Sequence, residues 1–425
     1  MKIVVLGAGV IGVTTAYALG RLGHEVHVID KADAVAAGAS HANGAQISYS
    51  YADPFANPET FKKIPKYMLG RDKGIGLHFT KNLGYYMWGL RFLSNCTATK
   101  SANNLQLMLE LARYSKAAMA KLATEIPCTS IQAVNAGKII LARTPNELIQ
   151  LSKSASLKRS YGFDIETLDK NQCMEHEPML ASWRGEFCGG LFAPGDKVLD
   201  PLAFCMKMQT YSENKFGVKF HFNHNIVKLE RNGGKITAVQ TDKDMFSCDS
   251  AIVCLGAGVN KVLKTIGKRH PVYAMRGYSL TLPKGEHTPN ISITDPLSKI
   301  VFTNLGDKIR IAGFLDANLP EKKIGSRGLA LFETAKKLWP DAANYAVNDA
   351  VNDDSGNHVW TGLRPMTPSG IPIVGASALK GLYYNIGHGS LGLTLAAGSA
   401  EKIAQIVGEN AAQSSGARGQ GKKRA

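Results

Sequence analysis

Three glycine-rich turns carry the first chemical signal in this chain: Gly7-Ala8-Gly9-Val10-Ile11-Gly12, Leu255-Gly256-Ala257-Gly258 and Gly387-His388-Gly389-Ser390-Leu391-Gly392. Each follows a short apolar run and precedes a segment able to form a helix, so each places free backbone N–H groups at a helix N-terminus. The first has G-x-G-x-x-G spacing, with Asp30 eighteen residues beyond Gly12. In that pattern Gly7 permits the tight turn, Gly9 lets the backbone approach a pyrophosphate, Val10 opens the helix, and Gly12 lets helix and strand pack closely. Asp30 would accept hydrogen bonds from the ribose hydroxyls of adenosine, with Lys31 beside it.

The elements that must position these turns read directly from the pattern. Residues 2–6 form a buried strand, 10–22 a helix and 25–29 a second strand, which is the dinucleotide-binding unit. Residues 218–222, 226–230 and 235–241 read as strands, the last two joined by Asn232-Gly233-Gly234 as a hairpin turn, with Val227 taken as a cofactor neighbour. Residues 250–254 and 382–386 are further strands, the latter followed by a helix from about 391 to 407. Three glycine turns feeding one sheet suit a ligand longer than the reactive half of NAD. A flavin, anionic along its N1–C2=O edge when reduced, matches a helix N-terminus.

The chain has 425 residues, 50 Lys and Arg against 34 Asp and Glu, and a formal charge of +16. These values fit a soluble globular protein of two domains, and fibrous, collagen-like and wholly disordered classes are excluded. The longest apolar stretch beyond the N-terminus is too short for a bilayer span. Seven cysteines without a CxxC pair support neither a disulfide framework nor a zinc site and fit a cytoplasmic setting. No metal centre is expected: His221 and His224, three apart on a strand, should lie on opposite faces. Residues 60–125 hold eleven basic and three acidic residues, interleaved up to residue 93 with Tyr, Trp, Met and Leu, and residues 413–425 form a basic tail expected to be disordered. Basic residues among aromatics suit either an anionic membrane surface or a solvated face; nucleic acid is not the expected partner.

Five stretches spread over the chain, VVLGAGVIGVTTAYAL with GHEVHVID, ASHANGAQISYSYADPFANP, VYAMRGYSLTL, WTGLRPMTPSGIPIVG and GHGSLGLTLAAGSA, resemble the D-amino-acid-oxidase-like superfamily of FAD enzymes, and within it the bacterial D-amino-acid dehydrogenases. The resemblance covers essentially everything but the tail. It implies an α/β fold in which a Rossmann-type FAD-binding domain (1–50, 195–270, 355–412) is interleaved with an antiparallel-sheet α+β substrate domain (51–194, 271–354), the latter flanked by helices such as 103–125. It also implies noncovalent FAD, hydride removal from the α-carbon of an amino acid, release of a 2-oxo acid and ammonia, and electron delivery to a membrane quinone at the cytoplasmic side of the bacterial inner membrane. An oxygen-using glycine, sarcosine or D-amino-acid oxidase, and a D-hydroxyproline dehydrogenase, share the same features.

Cofactor contacts are expected from Ser40, His41, Asn43, Gly44, Gln46 and Ile47 in the flavin loop, from Leu255, Gly256 and Gly258, and from Gly387 through Gly392 with Thr394. The dehydrogenases usually have an aromatic at the position of His41 and the order Asn-Ala-Gly where this chain has Asn43-Gly44-Ala45, which leaves substrate range and flavin attachment open. His41 is the candidate for a covalent link; no cysteine follows Cys254 to make one. Arg364, in Gly362-Leu363-Arg364-Pro365, matches the carboxylate-binding arginine of the superfamily, and a guanidinium offers the bidentate fork a carboxylate needs. Tyr278 is a candidate hydroxyl donor. His388 is read as a group that stabilises reduced flavin or steers a proton, with a packed histidine as the alternative.

Overall fold

A computed structural model describes residues 1–126, 136–345 and 359–421, with side chains through residue 413. Cys128 and the expected domain boundary near residue 354 lie outside the described residues.

The first sheet has Lys2–Leu6 at its centre, paired in parallel with Glu25–Ile29 on one side and Ser250–Val253 on the other. Leu382–Ile386 adds in parallel beyond Ser250–Val253, Lys219–His221 adds in parallel beyond Glu25–Ile29, and Ile373–Ala376 closes one edge in antiparallel sense. The three glycine turns therefore leave the carboxyl ends of three adjacent parallel strands, where open α/β sheets bind their ligands. The strand Lys2–Leu6 is almost wholly buried, as a central parallel strand covered on both faces must be. A three-stranded antiparallel meander stands beside this sheet, with Gly233 and Gly234 in left-handed conformation at its first turn, as the hairpin demands.

The second sheet runs Trp360–Met366, Tyr273–Pro283, Lys308–Ala317, Ile300–Asn304, Ser292–Asp295, Lys138–Ala142, Gly189–Ala193 and Glu166–Asp169. It is mixed, not purely antiparallel as expected. Ser292–Asp295 pairs in parallel with Lys138–Ala142, and the short strand Ile75–Leu77 in parallel with Lys308–Ala317. Parallel neighbours need a long crossover, and here the chain makes it by passing through the first sheet in between. The helix Ile324–Leu338 covers the outer face, burying Leu331, Phe332 and Ala335 against Leu280, Ile311 and Phe302. The inner face holds the flavin loop: Ser279 Oγ donates to the Ala42 carbonyl (2.5 Å), Arg310 Nη1 to that of Asn43 (3.0 Å) and Thr303 Oγ1 to that of Gly44 (2.9 Å).

Two helices go beyond expectation. Ala98–Glu125 packs along the C-terminal helix of the first sheet, while its Met119 and Leu122 share a core with Ile140 and Leu191 of the second. A Cβ on Gly398 would lie 2.6 Å from Ser115 Cα, so glycine there permits the close crossing, and Ser115 Oγ donates to the Thr394 carbonyl at 2.7 Å. That C-terminal helix runs Gly392–Gly421, well beyond residue 407 and through most of the stretch expected to be a disordered tail. Residues 422–425 lie outside the described part.

Candidate functional site

A cavity of about 1060 Å³ extends from the carboxyl ends of the parallel strands to the inner face of the second sheet. All three glycine turns line it. Gly7 has φ of +102°, and a Cβ there would meet the Cys254 carbonyl oxygen at 2.7 Å. Gly9 borders the cavity, and a Cβ there would contact only Ser40 Oγ at 3.4 Å, so the space it leaves faces the ligand. Gly12 does not line the cavity: a Cβ would sit 1.7 Å from the Gly7 carbonyl oxygen, which makes it the helix-packing glycine. Val10 N donates to Ser40 Oγ at 3.0 Å, fixing the flavin loop on the helix N-terminus. Asp30 accepts from Ala8 N at 2.7 Å and Ala32 N at 2.9 Å, and with Lys31 borders the cavity.

Asn43, Gly44, Gln46, Leu255, Gly256, Gly258, the segment from Gly387 to Gly392, and Thr394 all border the same cavity. Four sequence assignments fall outside it, Gly12 among them. Ile47 is buried behind the wall, while its neighbours Gln46 and Ser48 face in. Val227 is exposed, and Ile226 and Asn225 take its place. Both errors are one-residue slips, which on an extended strand reverse the side chain. His41 is exposed, does not line the cavity itself, and stacks at 6.1 Å between ring centroids on Trp360, which does. That placement gives no support to a histidyl bond.

Arg364 borders the cavity as expected. Its guanidinium lies where a side chain on Gly277 would be, 2.6 to 2.7 Å from that Cβ position, and Nη2 touches the Gly313 carbonyl at 3.5 Å. No carboxylate of the described residues pairs with it, and burial lowers its pKa to about 10. A half-buried guanidinium facing a cavity, without a counter-charge among the described residues, is suited to an anionic ligand. Tyr278 borders the cavity; strand alternation sets its ring among Leu280 and Leu331, its buried hydroxyl has no hydrogen-bond partner among the described residues, and burial and Asp316 push its pKa up. His388 is 4% exposed, its Nε2 has no hydrogen-bond partner among the described residues, and burial pulls its pKa down to about 3. It is neutral at working pH and can offer one hydrogen bond but no charge.

Several lining residues had no sequence signal. Lys138, 2% exposed, donates to Gln46 Oε1 and Ser48 Oγ, both at 2.9 Å, and stands 4.6 Å from the centre of the Tyr51 ring. Burial lowers its pKa to about 8, opposed by the nearby Asp196 carboxylate. A lysine heading an apolar strand reads as a solvent-facing end; only the sheet's inner position makes it part of a site. Asn385, whose Oδ1 is buried without a partner among the described residues, and Thr294, whose Oγ1 is likewise unpartnered, also border the cavity. His221 and His224 do approach each other, at 5.9 Å between centroids, because Asn223 in left-handed conformation turns the chain after the strand; His27 stacks on His221. Among the described residues no group of His, Cys, Asp or Glu could hold a metal ion.

The residues present fit a dinucleotide flavin: a phosphate cradle that needs glycine, an acid at the second strand end, and orphaned polar atoms deeper in. The family model for FAD dependent oxidoreductases matches residues 2–406, and this chain belongs to that family. It is an FAD-dependent enzyme. Among its relatives, "D-amino acid dehydrogenase" of Allorhizobium ampelinum is 36% identical over 410 residues, covering 96% of this chain and 94% of the relative. The Vibrio cholerae protein of the same name is 34% identical over 414 residues, covering 96% and 95%. Glycine oxidase from Geobacillus kaustophilus has a similar structure, with a TM-score of 0.70 at 18% identity over 96% of this chain and 95% of that one. L-Proline dehydrogenase from P. horikoshii has the same TM-score at 16% identity, covering 96% and 93%.

Proposed function

We propose that this enzyme oxidises D-amino acids to 2-oxo acids and ammonia and passes the electrons to a membrane quinone, with FAD held by contacts alone. The observation that carries the reading is Arg364, an unpaired guanidinium facing the cavity that the glycine turns enter. The names of the relatives add support. Bound FAD supplies the hydride acceptor; the protein's task is orientation. Arg364 grips the substrate carboxylate and fixes the direction of the Cα–H bond. Gly277 leaves the room in which the guanidinium lies, and Gly313 offers its carbonyl as a further anchor. The helix N-terminus after Gly387-His388-Gly389 directs backbone donors toward negative charge. Lys138 braces Gln46 and Ser48 in the flavin loop.

The quinone reading rests on the segment 58–95. Phe61, Met68, Leu69, Phe79, Leu83, Tyr86, Met87 and Leu90 are exposed there, among Lys62, Lys63, Lys66, Arg71, Lys73, Lys81 and Arg91. So many apolar side chains beside basic ones suit the boundary of an anionic lipid leaflet. The helix Pro58–Met68 also supplies Glu59, Thr60 and Lys63 to the cavity wall, joining that surface to the site. No described helix is long and apolar enough to cross a membrane. The test compares turnover of a D-amino acid with a quinone analogue against turnover with oxygen alone. Faster reduction of the quinone is expected; equal or faster use of oxygen makes the enzyme an oxidase.

A further inference from the structure

Near Arg364 the cavity wall carries a further lysine without a protein partner among the described residues. This is Lys299, and among the described residues its ammonium makes no ion pair or hydrogen bond, because each nearby acid is already engaged. Asp295 binds Arg143, Asp72 lies 3.2 Å from Lys66, and Glu59 lies 2.8 Å from Lys62. The position of Lys299 is built. Its backbone is left-handed at φ +59°, and its Cβ and Cγ lie 2.6 Å from where a side chain on Gly74 would begin. Only glycine at residue 74 leaves space for the stem.

Lys299 and Arg364 converge on adjoining backbone. The Lys299 carbonyl accepts from Phe314 N at 3.1 Å, Ile300 pairs with Gly313, and Arg364 Nη2 approaches the Gly313 carbonyl. Leu315, Ile75 and Tyr67 supply apolar wall in the same part of the cavity, and Lys63, exposed on helix Pro58–Met68, stands at its rim. Burial and repulsion from Lys63 lower the Lys299 pKa, with Asp72 and Asp295 opposing the shift in part, and a bound anion would relieve what remains.

We propose that Lys299, with Lys63 at the rim, forms a second anion-recognition point that selects amino acids with an acidic side chain, such as D-glutamate and D-aspartate. The proposal rests on the amino-acid reading above, with the α-carboxylate at Arg364 and the side-chain carboxylate at Lys299. A neutral substrate would enclose an unpaired ammonium, and sites built for a polar partner discriminate against ligands that lack it.

The test uses holoenzyme and an artificial electron acceptor. Wild type should prefer D-glutamate to D-leucine, and Lys299→Met should lower kcat/KM for D-glutamate relative to D-alanine by about tenfold or more. Lys299→Glu should shift the preference toward D-arginine, a gain that a folding defect cannot produce. Independently of turnover, titration of the flavin absorbance should show 2-oxoglutarate bound about tenfold more tightly than pyruvate by wild type, with the difference lost in Lys299→Met. Equal binding of the two oxo acids by wild type, or unchanged substrate ratios in both variants, overturns the second anion point while leaving the amino-acid reading standing. A holoenzyme that oxidises none of these D-amino acids, and whose flavin absorbance responds to neither oxo acid, overturns both.

Discussion

At its nucleotide end the cavity wall is backbone, made of glycines at three strand ends and the amides of the helices that follow. At its substrate end the wall is long side chains, Arg364 from a strand of the second sheet and Lys299 from the turn between Ser292–Asp295 and Ile300–Asn304, in room left by Gly277 and Gly74. Glycine serves both ends for different reasons. In the first turn its missing side chain makes space for a ligand or for a packed helix; in the second sheet it makes space for another residue's cation. A wall of backbone tolerates no variation in position but carries little information about which substrate is oxidised. A wall of side chains is the part that can be rewritten to change specificity.

The sharpest test of that contrast lies within the first turn itself. Gly9→Val should fold, since a Cβ there meets only Ser40 Oγ, yet lose FAD by roughly two decades or more in affinity, because its side chain fills the approach to the pyrophosphate. Circular dichroism together with flavin content reads both; a folded variant with normal FAD would remove this turn from the phosphate site.

At the other end, Arg364→Ala should keep FAD and lose about 3 to 5 kcal/mol in kcat/KM, and Arg364→Lys should recover only part of it. Steady-state kinetics with D-amino acids and an artificial acceptor measures this, and loss of flavin instead would move Arg364 to the cofactor side. Gly277→Ala tests the same end indirectly. Its new methyl would stand 2.6 Å from Arg364 Nε, so the guanidinium must shift, and a loss of about tenfold in kcat/KM with unchanged FAD content is expected.

His388 distinguishes the two ends by pH. Burial holds its folded-state pKa near 3, below the ordinary imidazole value, so the unfolded chain takes up a proton that the native state refuses. Its contribution to stability is complete above the unfolded pKa of about 6.5 and is lost as pH falls from there toward 3. Thermal melts between pH 7 and 4 should show a shallower fall for His388→Asn than for wild type, and parallel curves would contradict a buried neutral imidazole. The smallest effect belongs outside the cavity. Leu69, Phe79 and Leu83 changed together to Ser should release the protein from anionic vesicles and slow quinone reduction while turnover with a soluble dye persists, each lost contact being worth on the order of 1 kcal/mol. Unchanged vesicle binding would make this surface a solvated one.

The sequence by itself determined the nucleotide end. A strand, a glycine turn, a helix and an acid lie within thirty residues, so periodicity and turn chemistry report them without knowledge of distant contacts. The same local logic located the strands 2–6, 25–29 and 382–386 and the hairpin at Asn232-Gly233-Gly234. It failed where one residue of register decides direction, as with Val227 beside Ile226, and with Ile47, which lies behind the wall between Gln46 and Ser48. Side chains alternate across a strand, and which face meets the cavity is set by the neighbouring strands.

Arg364 apart, only the tertiary structure decided the substrate end. Ala98–Glu125 joins the C-terminal helix through the Ser115–Gly398 contact, and Lys138 becomes a brace for the flavin loop because residues nearly a hundred positions away fold onto its strand. Whether a lysine is a solvated charge or a site depends on the counter-charges around it. For Lys299, Asp295 of the same turn is taken up by Arg143, and Asp72, far off in sequence, by Lys66, and no pattern of residue types along the chain records that outcome.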